Sequence, residues 1–412
     1  MMRKTFEMCR RIEQISHEDG DIYIRCAGHV GRQLCYEMQE MGINIRAFLD
    51  RDKSLPKEVE GVPVIDPAIV YEKEKGSFLI LISVENDSIY EEICNELVIH
   101  GLKKGIDFVD CSFNADRRMQ DFMDIRPQFD FRKKFEGIAQ ERMNDMKQVN
   151  SDFNTNIPDA YNLIPNLDVP LTTFCSMSCE FCSHCIPYAK PPRHYEPELV
   201  AHKLNQLLAV SYVACVGIMG GEPFVYPQLA EFLKLYGRMS NFDNIGFTRI
   251  VTNGTVVPKD DFFEEYKKIP NAYIYISNYG EKSKKIDELV DRCQKNGIKT
   301  YVCPYSDEWM LLGEVNHKRE YTEKEVRHLY AVCGSHSCVQ MLNGRVYACG
   351  RVPVLNEYGV IPYSEGDFCE ICDDNYVLAD KLHEYLYQKE YLEGCYYCDG
   401  QHLFSKRIHR GE

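Results

Sequence analysis

Residues 174–182 read FCSMSCEFC, and they follow an apolar run, LDVPLTT, at 167–173. Cys175, Cys179 and Cys182 thus form a C-x3-C-x2-C pattern just past a segment with the character of a β-strand. Three thiolates can hold three irons of a 4Fe-4S cube and leave the fourth iron open to a small-molecule chelate, as a catalytic zinc site keeps one position free. That open iron is the expected seat of chemistry.

The same arrangement repeats downstream. VGIMGGEPFVYP (216–227) is a strand-like run closing on Gly220, Gly221 and Glu222; RIVTNGT (249–255) closes on Thr252, Asn253 and Gly254; AYIYISNYG (272–280) closes on Ser277, Asn278 and Gly280. Amphipathic stretches lie between them, at PELVAHKLNQLLAV, PQLAEFLKLYGRM, DDFFEEYKK and KIDELVDRCQKNGI, and a last strand, KTYVCPY, follows at 299–305. Polar and glycine clusters at successive carboxyl ends of strands are where an α/β barrel gathers its active site. Alone, GGEP reads as a strand-to-helix turn and TNG as a β-turn; beside the cysteine run they form one constellation.

This constellation resembles the radical S-adenosylmethionine (SAM) superfamily over about residues 166 to 400. The resemblance implies a partial (β/α)6 barrel open on one side. It also implies a cluster on Cys175, Cys179 and Cys182, SAM chelated to its fourth iron, Gly220, Gly221 and Glu222 against the methionyl amine, and Phe181 lining the adenine. Asn253 and Ser277 stand where the family contacts the carboxylate or ribose. One electron from the cluster then cleaves the sulfonium, giving methionine and a 5'-deoxyadenosyl radical that takes a hydrogen atom from an unactivated carbon. The hard chemistry is the cofactor's. Glycine at 220 and 221 is expected because a side chain there would meet the cofactor. Cys185 extends the run and reads as a free thiol, since a fourth ligand would close the cluster to SAM. His184 reads as a surface histidine or a proton carrier beside the cluster. The electron would come from a donor such as flavodoxin or ferredoxin.

Seven cysteines fall between 333 and 398. Cys333, Gly344 and Cys349 suit a hairpin with NGR at its turn, and Cys395 and Cys398 form a C-x-x-C. The pattern resembles the auxiliary-cluster domain called twitch, a shortened SPASM domain, and implies a second 4Fe-4S cluster on Cys333, Cys349, Cys395 and Cys398. Two cysteine pairs serve a structural zinc equally well. Cys338, Cys369 and Cys372 depart from the pattern as additional thiols.

Residues 21 to 112 alternate strands and helices, implying a small parallel sheet with helices on both faces. The turn Cys26-Ala27-Gly28-His29-Val30-Gly31 is a degenerate glycine loop, and Asp50 stands where a ribose-binding acid would be. The segment is similar to Rossmann-like modules of sugar-nucleotide enzymes, and a docking or dimerisation role stands beside nucleotide binding. The expected organisation is a Rossmann-like domain at 1–112, a linker with a packing helix at 113–165, the partial barrel at 166–330 and the auxiliary domain at 331–412.

Composition narrows the functional classes. The 412 residues are 44% hydrophobic, enough for more than one core. Neither an apolar span nor a signal-peptide segment occurs, so the expected location is the cytoplasm and no membrane partner is expected. Nineteen cysteines in a reducing compartment argue for metal ligation over disulfides. A net charge of −15 opposes nucleic-acid binding. The favoured function is hydrogen abstraction from a sugar, sugar nucleotide or polyol, ending in oxidation or epimerisation. A peptide- or protein-modifying enzyme is the alternative, and a cluster scaffold that no longer cleaves SAM is opposed by the complete motif.

Overall fold

The structure, a computed structural model, describes residues 20–40, 43–59, 61–84, 86–111, 131–305, 308–401 and 407–409. The chain start and the first part of the expected linker, 113–130, lie outside the described residues. Contacts divide the chain into two units: residues 1–128, 321–333 and 401–406 form the first, and 129–320, 334–400 and 407–412 the second.

In the first unit, β1 (Asp21–Arg25), α1 (His29–Glu40), β2 (Ala47–Leu49), β3 (Glu58–Val59), β4 (Val62–Ile65), α2 (Ala68–Tyr71), β5 (Phe78–Ile82), α3 (Asp87–Ile99) and β6 (Phe108–Asp110) follow one another. The sheet order is β3-β4-β2-β1-β5-β6, parallel except for β3. Alternation along buried strands gives each face its own core. Ile22, Ile24, Leu79 and Leu81 pack with Leu34, Cys35 and Met38 of α1. Tyr23, Phe78, Ile80 and Ile82 pack with Val70, Tyr71, Tyr90, Ile93 and Leu97 of α2 and α3. Helices therefore cover both faces, and the strand order reverses between β1 and β5, the feature that creates a crevice in doubly wound sheets. Cys26, at φ 80°, makes the turn there, and Asp50 accepts a hydrogen bond from the Ala27 amide at 2.8 Å. The acid expected to hold a ribose thus braces the loop itself.

The second unit begins with α4 (Phe131–Val149), the packing helix expected in the linker, and continues through β7 (Leu163–Ile164), β8 (Leu167–Pro170), α5 (Pro197–Leu208), β9 (Tyr212–Met219), α6 (Leu229–Tyr236), β10 (Ile245–Thr252), α7 (Asp260–Tyr266), β11 (Ala272–Ile276), α8 (Ile286–Lys295) and β12 (Lys299–Val302). β13 (Glu308–Met310) pairs with the C-terminal strand Arg407–His409. The main sheet runs β12-β11-β10-β9-β8 with all pairs parallel. The hairpin expected after Cys333, β14 (Val339–Leu342) and β15 (Arg345–Tyr347), joins this sheet: Val339 and Gln340 pair in parallel with Leu167 and Asp168. Asn343 and Gly344 turn it with φ of 50° and 77°, the left-handed pair a two-residue hairpin needs.

The two faces of this sheet differ. On one, Thr248 accepts or donates a hydrogen bond with Tyr236 of α6 at 2.6 Å, and Ile218, Ile250 and Ile274 are wholly buried. The other carries Cys215, Phe247 and Tyr273, against which Ala139, Met143 and Met146 of α4 pack. Register puts Asp168, Gly217, Arg249 and Tyr273 in one row on this second face. Among the described residues no helix is long and apolar enough to cross a membrane.

Candidate functional site

The cysteine loop, Cys175 to Cys182, leaves the carboxyl end of β8, and the chain beyond β9 is tied to its root by a continued ladder. Leu171 N donates to Met219 O at 2.9 Å, Gly221 N to Thr172 O at 2.8 Å and Glu222 N to Phe174 O at 2.9 Å. This closeness explains the two glycines. A Cβ at Gly220 would stand 2.2 Å from the Thr172 carbonyl oxygen, and one at Gly221 would stand 2.1 Å from that of Phe174; Gly220 also takes φ 150°. The protein's own backbone therefore already requires glycine at both positions.

Glu222 is fully buried. Its carboxylate accepts from Phe224 N at 3.1 Å, Thr252 Oγ1 at 2.8 Å and Asn253 N at 2.8 Å. Both oxygens are thus engaged inside the protein, and the side chain positions the turn after β10. Burial pushes its acid up to about 7, against the pull of those three donors. Asn253 carries the linkage on to the cysteines: its Nδ2 donates to Ser176 Oγ at 3.1 Å and approaches Cys175 Sγ at 3.8 Å, while its Oδ1 accepts from Thr255 N and Oγ1 at 3.0 and 2.6 Å. Ser277 N donates to Thr252 O, and Ser283 Oγ donates to Asn253 O at 2.7 Å. Asn253 and Ser277 are each 8% exposed, and Phe181 is half-buried. Ser176 and Ser283 carry no signal of their own in the sequence, because bonds between separate strand ends leave no local spacing to read.

The three thiols suit a cluster. Met177 N donates to Cys175 Sγ at 3.4 Å, and backbone amides of Ile186, His184 and Cys185 point at Cys182. Burial pushes Cys175 up to about 12 and raises Cys179 and Cys182, and each thiolate would raise its neighbours further. Partly buried, mutually repelling sulfurs, two of them with amide donors aimed at them, are a donor set that cationic iron completes. Among the described residues no three His, Cys, Asp or Glu side chains converge as closely as one metal ion requires. Cys185 is buried at φ 56°, and His184 is half-buried, with Nδ1 3.2 Å from Oε1 of the buried Gln340.

Of the other expected ligands, Cys349, Cys395 and Cys398 fall in the second unit and Cys333 in the first. Cys349 Sγ accepts from Arg351 N and Cys398 Sγ from Gly400 N, each at 3.3 Å. Within the first unit, Cys333 Sγ accepts from Gln401 N at 3.3 Å. Arg351 is 6% exposed and sits in the field of Cys398, Cys185 and Cys349. A brace unseen in the sequence joins the elements bearing Cys349 and Cys395. The Tyr385 hydroxyl accepts from Ala348 N at 2.9 Å and donates to Asp367 O at 2.6 Å, and the Asp367 carboxylate accepts from Glu393 N and Gly394 N at 2.5 and 3.1 Å. Cys369 is buried, and Cys372 Sγ lies 3.6 Å from Asp374 O.

No curated protein sequence matches the chain. Among solved structures, Streptococcus suis SuiB bound to precursor peptide SuiA is similar at 15% identity and a TM-score of 0.28, covering 52% of this chain and 46% of SuiB. BtrN in complex with AdoMet and 2-DOIA is similar at 15% identity and a TM-score of 0.40, covering 57% and 93%. Native anSMEcpe with bound AdoMet and Kp18Cys peptide is similar at 13% identity and a TM-score of 0.36, covering 54% and 82%. The family model described as the Radical SAM superfamily matches residues 169–323, and this segment, which holds the cysteine loop, Gly220 to Glu222, Asn253 and Ser277, is a radical SAM domain.

Proposed function

We propose that this protein reductively cleaves SAM and abstracts a hydrogen atom from a sugar, sugar nucleotide or polyol, with oxidation or epimerisation as the outcome. The observation that carries the reading is the hydrogen-bonded junction of three strand ends, in which the cysteine loop, Gly220–Glu222 and Asn253 hold one another. In it, Cys175, Cys179 and Cys182 hold the cluster, the main chain at Gly220 to Glu222 meets the methionyl amine, and Phe181 flanks the adenine. Asn253 and Ser277 orient polar groups of the cofactor, and Glu222 fixes Asn253. When bound, the cluster and SAM supply the one-electron chemistry. A second cluster on Cys333, Cys349, Cys395 and Cys398 and a flavodoxin or ferredoxin donor belong to the same proposal. The carbohydrate substrate is supported by the doubly wound strand order of the first unit.

The test is anaerobic reconstitution with iron and sulfide of wild type and a Cys175, Cys179, Cys182 triple alanine variant, with 5'-deoxyadenosine assayed after dithionite and SAM. The expected result is about eight irons falling to about four, with 5'-deoxyadenosine from wild type alone. Four irons in wild type removes the second cluster, and no 5'-deoxyadenosine from wild type removes the function.

A further inference from the structure

The face of the main sheet that carries Asp168, Gly217, Arg249 and Tyr273 borders a cavity of about 950 Å3, lined by Arg142, Arg249, Tyr273, Tyr275, Lys299 and Tyr301 among others. Its charges are uneven. Arg142 is paired with Asp145, also in the lining, at 3.3 Å. Arg249 reaches its nearest acid only indirectly: Nη2 donates to Asn166 Oδ1 at 2.8 Å, and Asn166 Nδ2 donates to Asp168 Oδ1 at 2.8 Å. The buried Arg249 Nε has no hydrogen-bond partner, and the guanidinium lies 5.6 Å from the Tyr275 ring centre. A guanidinium is charged at any working pH, and a buried nitrogen of it left without a partner is costly. Gly217 keeps the ground beside it clear, since a Cβ there would stand 2.7 Å from Asp168 Oδ1 and 3.8 Å from Arg249 Nε.

The place of Arg249 in the strand sets the size of what binds. It precedes Asn253, whose side chain reaches the cysteine loop, by four residues, which at the rise of a strand is about 13 Å. Tyr275 and Tyr301 stack at 5.4 Å along the same wall, offering the ring faces that carbohydrates and bases use.

We propose that this cavity is a recognition subsite for an oxyanion, the phosphate or carboxylate of a small anionic substrate, bound by Arg249, with Lys299 adding positive potential and Tyr275 and Tyr301 flanking the rest of the molecule. The site makes the substrate a phosphorylated or carboxylated sugar rather than a neutral polyol. It rests on the proposed enzymatic reading only for the word substrate, because binding can be measured without SAM.

The experiment is isothermal titration of the anaerobically reconstituted full chain with glucose 1-phosphate, glucuronate, inorganic phosphate and glucose. Saturable binding of at least one charged ligand is expected, with glucose at least about 10-fold weaker, and the tighter of glucose 1-phosphate and glucuronate tells phosphate from carboxylate. Arg249→Met should weaken that ligand by about 10- to 100-fold, the worth of a charge-assisted hydrogen bond, and Arg249→Lys should recover part of the loss. Lys299→Gln, at an exposed edge position, tests the same site if Arg249→Met fails to fold, with a loss of about 3-fold expected. Glucose binding as tightly as the anions, no saturable anion binding, or anion affinity unchanged in folded Arg249→Met or in Lys299→Gln would overturn the proposal. Anion binding without 5'-deoxyadenosine formation would sink the proposed function and leave this site standing; the reverse would sink only the site.

Discussion

Glu222→Gln keeps the shape of a buried side chain and removes one acceptor. Oε1 can go on accepting from Phe224 N and Thr252 Oγ1, but the amide nitrogen now faces Asn253 N, donor against donor. One buried N–H left unpaired costs about 1–3 kcal/mol. At about 2–4 °C per kcal/mol for a domain of this size, a cost near 2 kcal/mol lowers the melting temperature by about 4–8 °C. The pH dependence identifies the cause. Because burial raises the Glu222 acid from 4.5 to about 7, its stabilising contribution is complete below pH 4.5 and is lost as pH climbs through about 7; the rise corresponds to about 3 kcal/mol. The acid's hydroxyl oxygen still accepts from Asn253 at low pH, which an amide nitrogen cannot do. The melting-temperature gap between wild type and Glu222→Gln, measured calorimetrically on the cluster-free chain, is therefore widest at pH 5, narrows as pH rises and reverses sign by pH 8, because a loss of about 3 kcal/mol exceeds a cost near 2 kcal/mol. A gap that is absent at pH 5, or that grows with pH, refutes the assignment of Glu222 as the buried anchor of the Asn253 turn.

Gly220→Ala and Gly221→Ala should each cost more than about 2 kcal/mol, because the clash is with backbone carbonyls that cannot swing away; an unchanged denaturant midpoint would count against the ladder. Asn253→Ala should slow 5'-deoxyadenosine formation by about 10- to 100-fold, as loss of a supporting partner does at other metal centres, and should alter the electron paramagnetic resonance spectrum of the reduced cluster. Identical spectra and rates would mean that the Ser176 and Cys175 contacts are idle. Tyr385→Phe strands Ala348 N and should cost about 1–3 kcal/mol while lowering iron content toward four per chain; full iron loading would separate the Tyr385 brace from any second cluster.

What the sequence shows and what it hides divide along a physical line. Each strand and helix of the second unit's parallel sheet is a local pattern: YVACVGIM is apolar on both faces, and IDELVDRCQK places Leu289 and Cys293 on one helical stripe. Such elements are decided by residues a few positions apart, and they fall where the pattern predicts. The working parts of the site are decided by register between strands, which composition does not carry. GGE advertises its glycines, but that they yield to Thr172 and Phe174, and that Glu222 turns inward to Asn253, follows only once β8, β9 and β10 lie side by side. Arg249 is the sharper case. In RIVTNGT it reads as a cation at the head of a strand, and a lone charge there is ordinarily a solvated one. The pairings Arg249 to Gly217 and Gly217 to Asp168 turn it toward the interior, where Asn166 takes one of its donors and leaves Nε without a partner. Two neighbours in sequence, Thr248 and Arg249, thus serve opposite faces, one locking α6 to the sheet and the other lining a charged cavity. A one-residue slip of β10 would exchange them, burying the guanidinium among helices and erasing both the core contact and the site, so the register that stabilises this sheet is the same one that gives it an anion to recognise.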